Sequence, residues 1–300
     1  MKVGLGLKKS AYTPEAYAYK KYLEDLKFDV QMVDEISVSP DNDINLYFMG
    51  FRPRFLDKKT TAIEIHEYQS LSTPPAPRLK DYLKKTINRI PGGRIFLNSS
   101  VHSRLGFSDS APYIFRDMGV DESLFQAPSQ DPLYDIVYSG SVGGRVGLVE
   151  ELKRLAALGY KLLIVGTVEQ SVREEFARLK NVFFAGRVAR EELPELYRQC
   201  RAGLNYTPDL YPFNVQTSTK TLEYLASGLS VLSNKYLWSE NFSQRNGYDF
   251  IWLDGVTSYI DFGEFKAISS TSKNIRDYSW FNVLEQSGFA HFLMNVRTNG

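Results

Sequence analysis

Short apolar runs alternate with stretches of helical periodicity along nearly the whole chain, and that alternation admits few folds. A strand followed by a helix must return parallel to itself, so the pattern predicts an α/β class protein with parallel sheets. In the first half, strands are expected at Lys2–Leu7, 29–33, 44–49, 62–66, 94–97 and 113–116, with helices at 14–26 and 77–90. Thr13 stands as N-cap before a proline in the first turn, and Asn98-Ser99-Ser100 reads as another helix start. Gln126-Ala127-Pro128-Ser129-Gln130-Asp131-Pro132 reads as linker. A second run then begins, with strands at 135–139, 161–165, 182–185, 202–206 and Ser230–Ser233. Helices are expected at 148–158, 172–179, 193–200, 218–227 and, closing the chain, 282–296. The expectation is two Rossmann-like domains facing across a cleft, over 1–128 and 135–280. No repeat of fixed period suggests a solenoid.

Composition agrees with two ordinary cores: the chain has 300 residues and is 43% hydrophobic. The net charge is +1, and neither half is strongly basic: the first 128 residues carry 18 Lys plus Arg and 16 Asp plus Glu. Nucleic acid is therefore not the expected partner. Cys200 is the only cysteine, which excludes an internal disulfide; it ends a helical pattern and reads as a small buried apolar residue. Three scattered histidines give no metal-ligand spacing. The N-terminus is charged too early for a signal peptide, and no stretch approaches the roughly 18 apolar residues of a membrane span. A cytoplasmic protein is expected. One basic stretch, Arg78, Lys80, Lys84, Lys85, Arg89 and Arg94, is interleaved with Leu79, Tyr82, Leu83, Ile87 and Ile90. It suits either a solvated helix face or peripheral contact of a 78–94 basic helix with the inner face of an anionic membrane.

Ligands of open parallel sheets bind beyond the carboxyl ends of strands. Ser139-Gly140-Ser141-Val142-Gly143-Gly144-Arg145 is such a loop, with glycines that admit a ligand to the backbone and an arginine suited to phosphate. It is neither a P-loop nor a GxGxxG, and a plain strand-to-helix turn would use the same glycines. The segment from Tyr206 to Asn234 carries a proline-bearing polar loop into a helix that ends at Gly228. Lys220 and Glu223 lie three apart near the start of that helix and share a face. The pair suits phosphate and ribose hydroxyls, or a simple surface ion pair.

Lys220-Thr221-Leu222-Glu223-Tyr224-Leu225-Ala226-Ser227-Gly228-Leu229-Ser230-Val231 resembles the K-x-x-E-Y-L-A-x-G-x-P-V signature of glycosyltransferase family 4 and its GT-B relatives. Four further segments are similar in the right order: Met118–Phe125, Tyr138–Ser141, Asn181–Val188 with Glu192-Leu193 and Leu196-Tyr197, and Tyr278-Ser279-Trp280. The resemblance implies a retaining, metal-independent transferase without cofactor, which moves sugar from a UDP or GDP sugar to a glycan or lipid-linked acceptor. It places Gly140, Arg145 and Lys220 at the donor diphosphate, Glu223 at the ribose, and Gly186, Arg187 and Val188 at the base. The final helix would pack back onto the first domain. Many members have a glutamate eight positions before the second one, and Val215 stands there in this chain. Donor-sugar contacts are then expected from Asn214, Gln216 and Thr217. Glu64-Ile65-His66-Glu67 resembles the family's H-D segment and makes His66 the candidate catalytic residue; a structural histidine would look the same. Gly4 and Gly6 suit either acceptor entry or tight packing. Val215 keeps a non-catalytic GT-B scaffold open as an alternative, beside a sugar-nucleotide epimerase. A nicotinamide dehydrogenase is disfavoured, since the first strand carries no GxGxxG.

Overall fold

A computed structural model describes residues 1–8, 13–48, 52–56, 60–72, 76–265 and 272–299. By internal contacts the chain forms two units, Met1–Gly119 with Ser279–Gly300, and Val120–Tyr278. Each is built on a six-stranded parallel sheet.

In the first unit the strands are β1 (Lys2–Leu7), β2 (Asp29–Asp34), β3 (Ile44–Phe48), β4 (Ile63–Tyr68), β5 (Gly93–Phe96) and β6 (Tyr113–Phe115), in the order β2-β1-β3-β4-β5-β6. Met49, expected to end β3, lies outside the described residues. The core sits on one face of this sheet. Val3, Leu5, Ile44, Leu46, Ile65 and Ile95 pack against Tyr19 and Leu23 of α1 (Pro14–Asp25) and against α9 (Trp280–Gln286) and α10 (Phe289–Asn299). The single closing helix expected over 282–296 is thus two. Gly288 adopts φ +66° and its N–H bonds Glu285 O, which ends α9 as a left-handed cap does.

The opposite face of β1, β3 and β4 is polar. No helix lies between β2 and β3, and among the described residues between β3 and β4 there is only a short 3-10 turn, Arg54–Leu56. Gly4, Gly6, Asn45, Tyr47, Glu64 and His66 therefore alternate with the core residues, where strands covered on both faces would read as continuous apolar runs. Glu64 is nearly buried and accepts from Arg52 Nη2 at 2.8 Å, Arg89 Nη1 at 2.7 Å and His66 Nε2 at 3.3 Å.

Helix α2 (Pro77–Ile87) has no buried residue, and Leu79 and Tyr82 are exposed on it. The expected 78–94 basic helix is corrected here: the helix stops at Ile87, Arg89 turns to Glu64, and Arg94 is buried against Asp109 at 2.5 Å. A carboxylate captures each of these two side chains, buried Glu64 the one and half-buried Asp109 the other, so neither belongs to the exposed basic face. The remaining helix, α3 (Ser99–Leu105), is capped by Asn98 Oδ1, which accepts from Val101 N at 3.0 Å.

In the second unit the strands are β7 (Tyr134–Ser139), β8 (Leu162–Val165), β9 (Val182–Gly186), β10 (Cys200–Asn205), β11 (Ser230–Ser233) and β12 (Ile251–Trp252), in the order β12-β11-β10-β7-β8-β9. The helices are α4 (Leu148–Ala157), α5 (Gln170–Glu175), α6 (Leu193–Arg198), α7 (Thr219–Ala226) and α8 (Leu237–Asn246). Cys200 does not end a helix, as its pattern suggested; it starts β10, fully buried, with Sγ near Leu196 O at 3.2 Å. Residues 120–134 join this unit and are not a free linker. Ser129 N donates to Arg198 O at 2.8 Å, Ser227 Oγ to Leu124 O at 3.1 Å, and Tyr134 begins β7. The division accordingly falls at Gly119 and not between 128 and 135.

The Glu64 cluster sets an acid limit on stability. Burial alone would raise this carboxyl, but the hydrogen bonds from His66 and Arg52 and the Arg52 charge outweigh it and hold it at about 2, against an ordinary 4.5. A depressed carboxyl contributes stability that is present above its unfolded value and lost as pH falls from there towards the folded one. The difference corresponds to about 3 kcal/mol. Burial also lowers His66, which acts in the same direction, because the unfolded chain then takes up its proton first. Urea unfolding of wild type should lose stability steeply between pH 4.5 and 2, whereas Glu64→Gln should be less stable at pH 7 and show a shallower slope. An unchanged slope in the variant would refute this account.

Candidate functional site

The second sheet reverses its strand order between β7 and β10, which is where parallel sheets open a crevice at their carboxyl edge. Three neighbouring strands end there on glycine. Gly140 follows β7 with φ +127°, Gly166 follows β8 with φ +140°, and Gly186 ends β9 with φ +73°. Their backbones are stitched together: Gly140 N donates to Val165 O at 2.8 Å and Gly166 N to Gly186 O at 2.7 Å. A Cβ on Gly166 would strike the Gly140 carbonyl oxygen. The edge beside β7 is thus bare main chain, which a ligand can approach closely.

Two cations stand near this edge. Lys220, second residue of α7, places Nζ 3.3 Å from Tyr138 Oη and 4.4 Å from the centre of that ring. Its Cε would lie 3.3 Å from a Cβ at Gly140, so loop and lysine are in contact. Arg145, half-buried, donates Nη1 to Tyr206 O at 3.3 Å. Burial, and then the Arg145 charge, push the Lys220 amine well below its usual range, against the pull of Glu223.

Helix α7 begins where Ser218 Oγ accepts from Thr221 N at 3.4 Å and bonds Asn205 Oδ1 at 2.9 Å. One turn later, Glu223 accepts from Tyr197 Oη at 3.1 Å. Ser139 Oγ lies 2.8 Å from the same tyrosine hydroxyl and 3.1 Å from Tyr224 Oη. Burial raises the Glu223 carboxyl, opposed by the Tyr197 hydrogen bond and by the Arg190 and Lys220 charges. Lys220 and Glu223 share a face, yet among the described residues no ion pair joins them. Each is held by a tyrosine instead.

The other expected site residues are more dispersed. Arg187 is exposed and Val188 half-buried beyond the end of β9. Asn214 Nδ2 donates to Asp209 Oδ1 at 2.8 Å, while Gln216 Nε2 is buried without a partner and Thr217 is half-buried before α7. His66 lies in the first unit, fully buried in β4 between Glu64 and Tyr68. Its Nε2 serves Glu64, and its Nδ1 is buried without a partner. In this conformation the imidazole reaches no surface. Gly166 was not anticipated from the sequence, although a glycine ending the run Leu162-Leu163-Ile164-Val165 was a usable signal for it; Tyr138 and Tyr197 lay in segments similar to the family but had been given no role at the site. Among the described residues, no group of three or more His, Cys, Asp or Glu could hold a metal ion.

Gly166→Ala should remove this edge. The new methyl meets main chain, and the backbone angle is one that side chains rarely adopt, so a loss of about 1–3 kcal/mol or more is expected. Thermal unfolding checks it; a variant as stable as wild type would show that the edge is looser than described.

A family model described as "Glycosyl transferase-like" matches residues 145–250, within the second unit. No curated protein matches the chain. Several solved structures share its fold at low identity. AviGT4, a glycosyltransferase involved in avilamycin A biosynthesis, is 14% identical with a TM-score of 0.62, over 100% of this chain and 99% of that one. Sucrose-phosphate synthase from Thermosynechococcus elongatus is 14% identical with a TM-score of 0.66, over 98% and 99%. Anabaena Alr3699/HepE in complex with UDP is 11% identical with a TM-score of 0.57, over 100% and 98%. The fold is that of GT-B glycosyltransferases, the group that the sequence motifs resemble.

Proposed function

We propose that the chain is a glycosyltransferase that binds a nucleoside diphosphate sugar in its second unit and passes the sugar to a glycan or glycolipid. The observation that carries this reading is the meeting of Gly140, Lys220 and Arg145 at the switch point of the second sheet. As the glycosidic bond breaks, the leaving diphosphate gains negative charge, and two cations fixed in a half-buried site stabilise that charge. Glu223, anchored by Tyr197, is suited to the ribose hydroxyls, with Gly186 to Val188 beside the base. A UDP donor is supported by the UDP carried in the Anabaena structure. Retention of configuration and independence from metal follow the sequence resemblance. With Val215 in place of a carboxylate, the unpartnered amide of Gln216 is the donor-sugar contact that the loop offers, with Asn214 and Thr217 on either side. The burial of His66 assigns it to holding Glu64 in the acceptor-side unit.

Binding should be visible as thermal stabilisation by UDP, and not by ADP, that survives chelation of divalent metal. Arg145→Ala, Lys220→Ala and Glu223→Gln should each weaken UDP by about tenfold, or 1.4 kcal/mol. Three variants that bind as wild type would end the site assignment. Loss of UDP stabilisation on chelation would end the claim of metal independence. Because free Lys220 is depressed and an arriving diphosphate favours its charged form, binding should take up a proton and weaken as pH rises. Calorimetry in buffers of different ionisation enthalpy reads that uptake, and Lys220→Ala should abolish it. The non-catalytic reading rests on Val215 and is decided by whether labelled sugar is transferred.

Helix α2, with Arg78, Lys80 and Lys85 exposed beside Leu79 and Tyr82, suits an anionic lipid surface that would bring a lipid-linked acceptor to the enzyme. Among the described residues no helix is long and apolar enough to cross a membrane. The protein should sediment with vesicles containing phosphatidylglycerol and not with neutral ones, and Lys80→Gln/Lys85→Gln should reduce that. Equal sedimentation of variant and wild type would dismiss the surface.

A further inference from the structure

Two asparagines stand at the carboxyl ends of β10 and β11, and each holds one end of the polar loop between β10 and α7. Asn205, the last residue of β10, is buried and spends its whole amide. Its Nδ2 donates to Ser233 Oγ and to Tyr236 Oη, both at 3.0 Å, and its Oδ1 accepts from Ser218 Oγ at 2.9 Å. Asn234 follows the last residue of β11 and grips buried Thr207 from both sides. Its Oδ1 accepts from Thr207 N at 2.9 Å, and its Nδ2 donates to Thr207 O at 2.7 Å.

Each grip ends one step from a cation. Thr207 N–H and the Tyr206 carbonyl belong to one planar peptide unit, so the bond to Asn234 fixes the plane from which Tyr206 O accepts Arg145 Nη1 at 3.3 Å. The Tyr206 ring has its place because residue 147 is glycine, where a Cβ would strike Tyr206 Oη. At the other end, Ser218 is the N-cap of α7 and Lys220 the second residue of that helix. Asn205 therefore sets where the first turn begins, and with it the lysine that lies against Gly140. We propose that Asn205 and Asn234 are positioning residues of the nucleotide site, Asn205 for Lys220 and Asn234 for Arg145. The inference rests on the glycosyltransferase reading and extends it to two residues that act through others. Apolar side chains would join β10 to β11 as firmly. Fully paired buried amides do something else: any other setting of the loop leaves one of them unpaired, so a single arrangement is selected. That selection matters at a site where cations must already be in place when charge develops on a leaving diphosphate.

Titration calorimetry of the full chain with UDP tests the assignment through double-mutant cycles. Asn234→Ala should weaken UDP by about tenfold, and should weaken it no further in the Arg145→Ala background. Asn205→Ala should behave in the same way towards Lys220→Ala. The crossed pairs, Asn234→Ala with Lys220→Ala and Asn205→Ala with Arg145→Ala, should multiply their effects. Ser218 gives a second route that leaves the buried amide in place. Ser218→Gly keeps an acceptable N-cap but loses the hydroxyl that Asn205 holds, and should weaken UDP as Asn205→Ala does. Ser218→Thr, which returns the hydroxyl, should recover most of that loss. If Asn234→Ala and Ser218→Gly bind UDP as wild type does, or if each weakens it equally in both cation-deleted backgrounds, the asparagines serve stability alone and the inference is overturned. Wild type that does not bind UDP would instead end the glycosyltransferase site assignment and take this inference with it, so the two failures are read from different titrations.

Discussion

A parallel sheet returns each strand through a crossover, and the crossovers decide which faces of the sheet are dry. Both units obey that constraint, but they meet it differently. In the first, α1, α9 and α10 cover one face, and the strands place Val3, Leu5, Ile44, Leu46 and Ile65 against them. The alternate positions have no helix to meet, so they carry glycine, asparagine, tyrosine, glutamate and histidine. In the second unit Leu162–Val165 is apolar at every position, and the last four residues of β7, Ile136 to Ser139, are all buried, as in strands covered on both faces. The open polar face of β1, β3 and β4 and the bare glycine edge beside β7 both follow from where the crossovers run.

The second unit concentrates its electrostatic cost at one edge. Taking a lysine out of water is expensive unless a carboxylate pairs with it, and Glu223 is near enough to do so. The fold prevents that. Tyr197 holds the carboxylate and the Tyr138 ring supports the amine, so the two charges remain separately addressed. A lysine left in that state is a poor contributor to stability and a good receptor for an anion. Residues that stabilise charge in a ligand have to be left unsatisfied without one.

Much of this was legible in the sequence, for identifiable reasons. The bounds of β1 and β11 follow directly from their apolar runs, and Lys220 and Glu223 sit on one helix face because a spacing of three dictates it. What failed did so where two periods compete. The helical pattern of 193–200 runs into β10 without a breaker, so Cys200 took the wrong element. Helix α8 escaped notice because Tyr236, at its N-cap, offers no ordinary capping side chain, and its aromatic residues stack with each other (Trp238 on Phe242 at 4.6 Å) more than they mark a face. The burial of His66 depends on the arginines that gather around Glu64 beside it, Arg52 and Arg89, which come from distant parts of the chain that no local pattern reports. The open polar face was written in the alternation of Lys2–Leu7 and Ile44–Phe48, and of Ile63–Tyr68 up to His66, where Glu67 breaks it on the core face by bonding Tyr19; it can be read back once the missing crossovers are known.

The two charged clusters differ in what they leave for a ligand to complete. Around Glu64, a carboxylate is answered by two guanidinium groups and a histidine before any ligand arrives. Around Lys220 and Arg145 the balance is absent, since Glu223 is committed to Tyr197, and an anion completes the set. One chain therefore carries a paired charged cluster in one unit and an incomplete cationic edge in the other.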